Sequence, residues 1–480
     1  MGKLKRLAGE TVLYGLGSIL PRVLNFLLVR LHTEVFLPEE YGILTKLLSY
    51  VAVFNVLFMF GMETAYFRFA TKPGFNEKRV FNLAQTAVLS ISILFSLILF
   101  AYATPLAIAM DIPGQENLIR WFVLIMLIDA VVAIPFAQLR LRKKATHFAV
   151  GKLINIGILI GLNIYFLKVA YNPAVGIGYV VIANLIANAF YLLFFVKPLL
   201  SWRPSVEKNV SWSMLSYSFP MLLTGLAGMT NEMFSRQTLD WWLPENFYPG
   251  QSPEYALGVF GACYKLAVLM SLAVQAFRYA AEPFFFSNAS DKESPQLFAR
   301  VNHYFIIVCC ILLLGVVINL DILKYLLGDS QYWEGLPVVP ILLLGYLFYG
   351  VYYNLNVWFK LTDKTYYGTI IMVTGAFITI VANYYLIPVA GYMGSSWATL
   401  TCYFTMTAIC YVLGQKYYPI PYNVPKSLSY IVFTTLLAYA VNSIFIENQW
   451  AATSFHILVL LAYLFIVYLI EKKGLRSLTN

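Results

Sequence analysis

Three basic residues stand where hydrocarbon should be. Arg22 lies in the middle of the apolar run "GSILPRVLNFLLVR" (17–30), and Lys265 and Arg278 lie in a second run over 255–280. A charged side chain at the centre of a bilayer costs at least about 2.5–3.5 kcal/mol, so each needs a carboxylate, backbone carbonyls, water or an anionic ligand. Asn25 follows Arg22 by three residues and so shares its helical face. Lys46 and Lys152 lie about one turn inside apolar runs, where the amine is expected to snorkel to the interface. Only three acids hold comparable positions: Glu63, Asp129 and Glu232. Five bases against three acids leave a surplus suited to holding an anion by charge-assisted hydrogen bonds. An ion pair of Arg22 with Asp129 or Glu63 is the alternative, as is an i,i+4 pair of Arg278 with Glu282; Glu232 is expected to pair with Arg236. Arg68, in "GMETAYFRFA", sits at the inner mouth, where it either meets an entering ligand or anchors its helix. Asp129, in "LIDAVVAIP", is the most isolated acid. Such a carboxyl can exchange a proton, which makes Asp129, with Glu63, a candidate for ion coupling.

The elements that carry these residues are set by composition. The chain has 480 residues, 60% hydrophobic and 12% charged, where a soluble domain has roughly 25% charged. This is an all-α integral membrane protein. Runs of about 20 apolar residues predict fourteen transmembrane helices, near 11–33, 41–66, 82–108, 117–139, 147–169, 175–196, 212–236, 255–280, 298–320, 334–359, 366–388, 391–414, 425–446 and 450–470. The longest connections, near 237–254 and 281–297, leave no room for a soluble domain. The start resembles a secretory signal but lacks a small-x-small cleavage site and runs into a full span, so it is expected to be retained. With the N-terminus inside, 23 of the 33 Lys and Arg fall on the cytoplasmic side. Five fall outside: Arg30, Arg120, Lys168, Arg236 and Lys324. This bias puts both termini in the cytoplasm. Most of the net charge of +10 is therefore an orientation signal, and no nucleic-acid partner is implied.

The chain also repeats. "KKATHFAVGKLINIGILIGLN" (143–163) aligns without a gap on "DKTYYGTIIMVTGAFITIVAN" (363–383), placing Asn163 over Asn383. "YGILTKLLSY" (41–50) aligns on "LGVFGACYKL" (257–266), placing Gly42 over Gly258, and Pro21 has a counterpart in Pro220. Six spans per copy is an even number, so the copies enter from one side and form a parallel repeat. The expected organisation is a six-helix lobe over 1–197, a second over 198–415, a central cavity between them, and two further helices with a cytoplasmic tail over 416–480. Pro21 and Pro220 each remove a backbone hydrogen bond from a span and are candidate hinges. Asn163 and Asn383 fit helix-packing hydrogen bonds.

No catalytic pattern accompanies this layout. There is no nucleophile elbow, zinc-protease helix, phosphate loop or loop-borne carboxylate pair, and the four histidines are scattered. The five cysteines lie in apolar runs, giving neither a disulfide framework nor a metal site. No enzyme activity and no cofactor is expected.

The segments "FLPEEYGILTKLLSY", "GMETAYFRFA" and "NYYLIPVAGYMGSSWAT", with the span-1 arginine and the duplicated fourteen-span layout, resemble the polysaccharide-export flippases of the multidrug/oligosaccharidyl-lipid/polysaccharide superfamily. The resemblance covers nearly the whole chain. It implies transfer of an undecaprenyl-pyrophosphate-linked oligosaccharide from the inner to the outer leaflet of the bacterial cytoplasmic membrane by alternating access, for O-antigen, capsule or exopolysaccharide. It also implies a cationic central cavity. Arg22 corresponds to the functional arginine that related lipid II flippases keep in span 1, and Arg278 to that in span 8; Lys265 has no such counterpart. The implied roles are pyrophosphate binding by Arg22 and Arg278 with help from Lys265, Arg68 and Asn25. Proton or sodium coupling and association with polysaccharide polymerase or assembly proteins are the corresponding expectations. The rival readings are a peptidoglycan lipid II flippase, a multidrug or cation antiporter of the same superfamily, whose cavity would need to be acidic, and a membrane-embedded polymerase or ligase, which would need a larger outer loop.

Overall fold

The computed structural model describes the backbone of residues 2–289, 293–444 and 446–479, and their side chains except at 2–16, 18, 280, 283, 287 and 473–479. Of the bases that orient the chain, Lys3, Lys5, Arg6, Lys292, Lys473 and Arg476 lie outside the described side chains. No strand occurs among the described residues. The first half of the chain holds α1 (Gly2–Val35), α2 (Pro38–Met59), α3 (Met62–Ala70), α4 (Glu77–Ala101), α5 (Ala103–Ala109), α6 (Glu116–Leu141), α7 (Ala145–Ile164), α8 (Gly178–Phe194) and α9 (Val196–Ser201). The second holds α10 (Lys208–Trp242), α11 (Pro253–Asn288), α12 (Ser294–Val317), α13 (Leu320–Leu323), α14 (Val338–Leu355), α15 (Val357–Leu361), α16 (Tyr366–Tyr417), α17 (Val424–Asn442) and α18 (Gln449–Thr479).

The protein is a multi-pass membrane protein: among the described residues ten helices are long and apolar enough to cross a bilayer. Outside that set lie α1, whose first half is not described at side-chain level, α8, which has 17 residues, and α10, interrupted by polar residues. The 52-residue α16 counts once, although Gly391 (φ 55°, ψ −133°) breaks it in two, where the sequence places a boundary between spans. A Cβ at Gly391 would lie 2.2 Å from the Tyr248 hydroxyl, so only glycine fits this turn. Pro21 and Pro220 both sit inside unbroken helices.

Matched residues make matched bonds. Asn163 Nδ2 donates to the Leu159 carbonyl at 2.8 Å and Asn383 Nδ2 to the Thr379 carbonyl at 2.7 Å. Asn163 also meets His32 of α1 at 2.9 Å, as Thr379 meets Asn231 of α10 at 3.4 Å. Both asparagines are fully buried and tie helices together. The α17–α18 pair is pinned at Glu471, a buried carboxylate that accepts from Tyr430 at 2.7 Å and His303 at 3.2 Å and pairs with Lys426 at 2.7 Å.

The halves of the chain meet most tightly at the end reached by the C-terminus of α1, here termed distal. There α2 crosses α11 with no room for a side chain. A Cβ on Gly42 would lie 2.0 Å from the Glu254 carbonyl oxygen, and one on Gly258 would lie 1.8 Å from that of Pro38. The contact is reciprocal, each glycine lying against the residue four before its counterpart. Five polar contacts flank it. Lys46 and Asp240 form an ion pair at 2.5 Å with both side chains almost wholly buried, and Lys46 also donates to the Met110 carbonyl at 2.8 Å. Gln237 donates to the Ser49 carbonyl at 3.2 Å. Tyr332 donates to the Phe36 carbonyl at 2.9 Å, and the Gly328 N–H donates to Thr33 Oγ1 at 2.7 Å. The snorkelling expected of Lys46 is therefore overturned: an acid on a remote helix holds its amine inside.

Candidate functional site

The cations singled out in the sequence, with Arg140 and Lys360, divide by the kind of partner each one has. Lys46 is neutralised by Asp240. Arg140 is paired with Glu63 and stacks 5.1 Å over the Phe67 ring. Lys360 is paired with Glu282 at 2.6 Å, which corrects the expected Arg278–Glu282 pair. A second group is held by neutral groups instead. Arg22 Nη1 donates to Gln275 Oε1, joining α1 to α11, and pairs with neither Asp129 nor Glu63. Arg278 lies one turn from Gln275 and stacks 4.8 Å over the Tyr353 ring of α14; Tyr353 is fixed by a 2.7 Å bond to the Tyr349 hydroxyl. Arg68, exposed at the end of α3, stacks 4.2 Å over Tyr217 of α10. A neutral partner orients a guanidinium without cancelling its charge, so these three keep positive potential available to an anion.

Lys265 stands on the same helix as Arg278 but thirteen residues away, roughly 20 Å along the axis. It lines a small distal chamber with Asn25, His32, Asn163, Asn184 and Arg236. The structure thus brings Lys265 together with Asn25, and Arg22 together with Arg278 through Gln275, but does not unite all of them at one level.

Two residues of this region escape the sequence reading. Arg236 is expected in an outer loop, yet α10 continues to Trp242 and buries it. Its guanidinium lies 4.0 Å over the Tyr264 ring, and Nη2 donates at 2.7 Å to the backbone carbonyl of Glu232, not to the carboxylate with which pairing is expected. The Trp241–Trp242 pair carries the signal that could have placed it, since tryptophans mark membrane interfaces. His32, one of four scattered histidines in the sequence, lines the chamber from α1.

The acids proposed for coupling sit elsewhere. Asp129 accepts from Asn188 Nδ2 at 3.0 Å, and Asn155 links Asn188 onward through a 3.0 Å bond. Lys152, expected to snorkel, instead lies 4.1 Å over the Phe136 ring and 5.0 Å over Tyr191 and interacts electrostatically with Asp129. This group joins α6, α7 and α8. Glu63 is held by Arg140 at the proximal end. No cluster of three or more metal-ligating side chains exists among the described residues.

The sequence model of polysaccharide biosynthesis proteins matches residues 27–333. No curated protein sequence matches the chain. Among solved structures, the lipid II flippase MurJ in its inward closed conformation superposes with a TM-score of 0.76 at 12% identity, over 98% of this chain and 100% of that one. An inward-facing multidrug resistance MATE family transporter of the MOP superfamily gives 0.61 at 11% identity, over 85% and 97%. The MATE multidrug transporter DinF-BH in complex with R6G gives 0.60 at 15% identity, over 86% and 95%. At these identities the likeness is one of fold.

Proposed function

The chain belongs to the polysaccharide biosynthesis protein family, and from that membership we propose that it carries a polyprenyl-diphosphate-linked oligosaccharide across the bacterial cytoplasmic membrane for surface polysaccharide assembly. The observation that carries the reading is the division of cations: at the interface of α1 and α11, Arg22 is held by the Gln275 amide and Arg278, one turn along, by the Tyr353 ring, while Lys46, Arg140 and Lys360 are cancelled by carboxylates. An interface of that kind attracts a diphosphate and repels the cationic cargo of a drug exporter.

The distal end corresponds to the outer face, with both termini cytoplasmic. The head group enters from the proximal side past Arg68. Arg22, aimed by Gln275, and Arg278, laid flat on Tyr353, then take the diphosphate while the prenyl tail stays in lipid. Each guanidinium offers a planar fork that matches phosphate oxygens. Separation of the halves at the Gly42–Gly258 crossing opens the outer side, with flexure at Pro21 and Pro220. No bond is made or broken in this cycle.

The test is reconstitution. Liposomes containing the protein should move a polyprenyl-diphosphate oligosaccharide to the trans leaflet, read by access of an impermeant glycan-modifying enzyme; an unchanged rate relative to empty liposomes defeats the reading. The second reading, lipid II transport, has the MurJ fold likeness in its favour. Depletion separates the two: loss of surface polysaccharide with viable cells supports the first, and lysis supports the second.

Asp129 is our candidate for proton or sodium coupling, because it is an intramembrane carboxyl whose only hydrogen-bond partner among the described residues is an amide. Asp129→Asn should keep the fold, since the amide can still accept from Asn188, while transport loses its dependence on an imposed ion gradient. Retained gradient dependence removes Asp129 from coupling.

A further inference from the structure

Directly beneath the α2–α11 crossing lies a partly enclosed chamber of about 120 Å³ between α1, α2, α7, α8, α10 and α11. We propose that this chamber is a separate station for one phosphoryl-type oxyanion, held by Arg236 and Lys265. It rests on the transport reading above, adding a second position along the path.

The chamber is built for negative charge. Arg236 is 8% exposed, and its Nε, buried, has no hydrogen-bond partner. Tyr264 backs the guanidinium and a backbone carbonyl takes one Nη2 proton, so the group is aimed but not neutralised. Lys265 makes no hydrogen bond or ion pair among the described residues and lines the same space. No carboxylate lines it; Glu232, one turn from Arg236, forms no ion pair with either cation among the described residues. Amide donors come from Asn25 and Asn184. Arg236 and Lys265 repel one another across the cavity, Glu232 acts on Lys265 only from outside its lining, and a bound oxyanion relieves both cations.

Size and distance define what the station takes. The space holds several waters or a phosphoryl group. Lys265 lies about 15 Å along α11 from Gln275 and about 20 Å from Arg278. The two phosphorus atoms of a diphosphate share one bridging oxygen and cannot span that interval. The head group therefore occupies the Arg22–Arg278 level and the chamber in succession, and the seal stands directly over the second position.

The test uses the full chain in detergent with inorganic phosphate and inorganic pyrophosphate as probes. Millimolar phosphate should raise the thermal midpoint of the wild type by at least about 2 °C. Arg22→Gln and Arg278→Gln should keep that rise, Arg236→Gln and Lys265→Gln should lose it, and Arg236→Lys and Lys265→Arg should restore most of it. No rise in the wild type, or equal rises in Arg236→Gln and Lys265→Gln, overturns the station. A polyprenyl diphosphate that competes with phosphate supports its place on the transport path; strictly additive protection marks a site for free phosphate and overturns that place. Phosphate protection without flipping in liposomes leaves the chamber standing and removes the transport reading, whereas flipping without protection does the reverse.

Discussion

Lys46→Met shifts the protein toward a state open at its outer face and lowers transport at least about tenfold. The ion pair it breaks has both side chains almost wholly buried and joins α2 to α10. Removing one partner leaves the Asp240 carboxylate desolvated, which costs about 3–5 kcal/mol in the sealed state. When the halves part, Asp240 meets water and that penalty largely disappears. A differential of about 3 kcal/mol changes the ratio of sealed to open molecules by roughly 150-fold. The paired substitution Lys46→Met with Asp240→Leu behaves oppositely. Two apolar groups in place of a buried ion pair are neutral or stabilising, and they no longer gain hydration on opening, so the double variant favours the seal. The measurement is the rate at which an impermeant thiol reagent, added outside, modifies a cysteine placed at Thr45, which packs on Gly261 within the crossing. Fast modification in Lys46→Met and slow modification in the double variant are expected. Equal rates in the two would make the pair a structural contact with no part in opening.

The sequence made the helices legible because the bilayer imposes a length that few other constraints mimic. It also made the break at Gly391 legible, since Pro388 and Gly391 interrupt one apolar run. The matched glycines at 42 and 258 could be found by alignment, and they prove to touch one another's helices; alignment alone does not say that equivalent residues of two copies meet. What stayed hidden was pairing between remote helices. Lys46 and Asp240 are 194 positions apart, and nothing local distinguishes an amine that reaches the interface from one that meets a buried acid. The position of Arg236 is hidden for a different reason. The polar residues Asn231, Glu232, Arg236 and Gln237 end the apolar run on composition, but α10 continues through them: Asn231, Arg236 and Gln237 are buried in protein, and Arg236 lines the chamber. Apolarity measures contact with lipid, so it fails at the helix faces where a transport path runs. The proposed anion site is half legible for the same reason: its cations stand out by type, while the groups that aim them, Gln275 for Arg22 and Tyr264 for Arg236, lie on another helix.

Arg22→Glu abolishes transport, with a fall of at least about 100-fold, and leaves the amount of protein in the membrane unchanged. Losing a charge-assisted contact to a buried anionic group costs about 2–5 kcal/mol, and reversal adds repulsion of the diphosphate. Arg22→Lys keeps the charge but loses the planar fork that Gln275 orients, so it should retain activity reduced roughly tenfold, a loss of about 1.4 kcal/mol. Gln275→Leu removes the orienting amide and should resemble Arg22→Lys more than Arg22→Glu. Protein level is the discriminating control, for a physical reason. Arg22 is bonded to a neutral amide, so its replacement strands no carboxylate in the membrane. Lys46 is bonded to one, so its replacement does, and some loss of stability follows. A guanidinium kept for folding would make Arg22→Glu behave like Lys46→Met, with reduced protein and reduced transport in proportion. A guanidinium kept for an anion makes the two diverge: full protein and no transport at position 22, altered conformation at position 46. Normal surface polysaccharide in cells carrying Arg22→Glu would remove Arg22 from the path altogether.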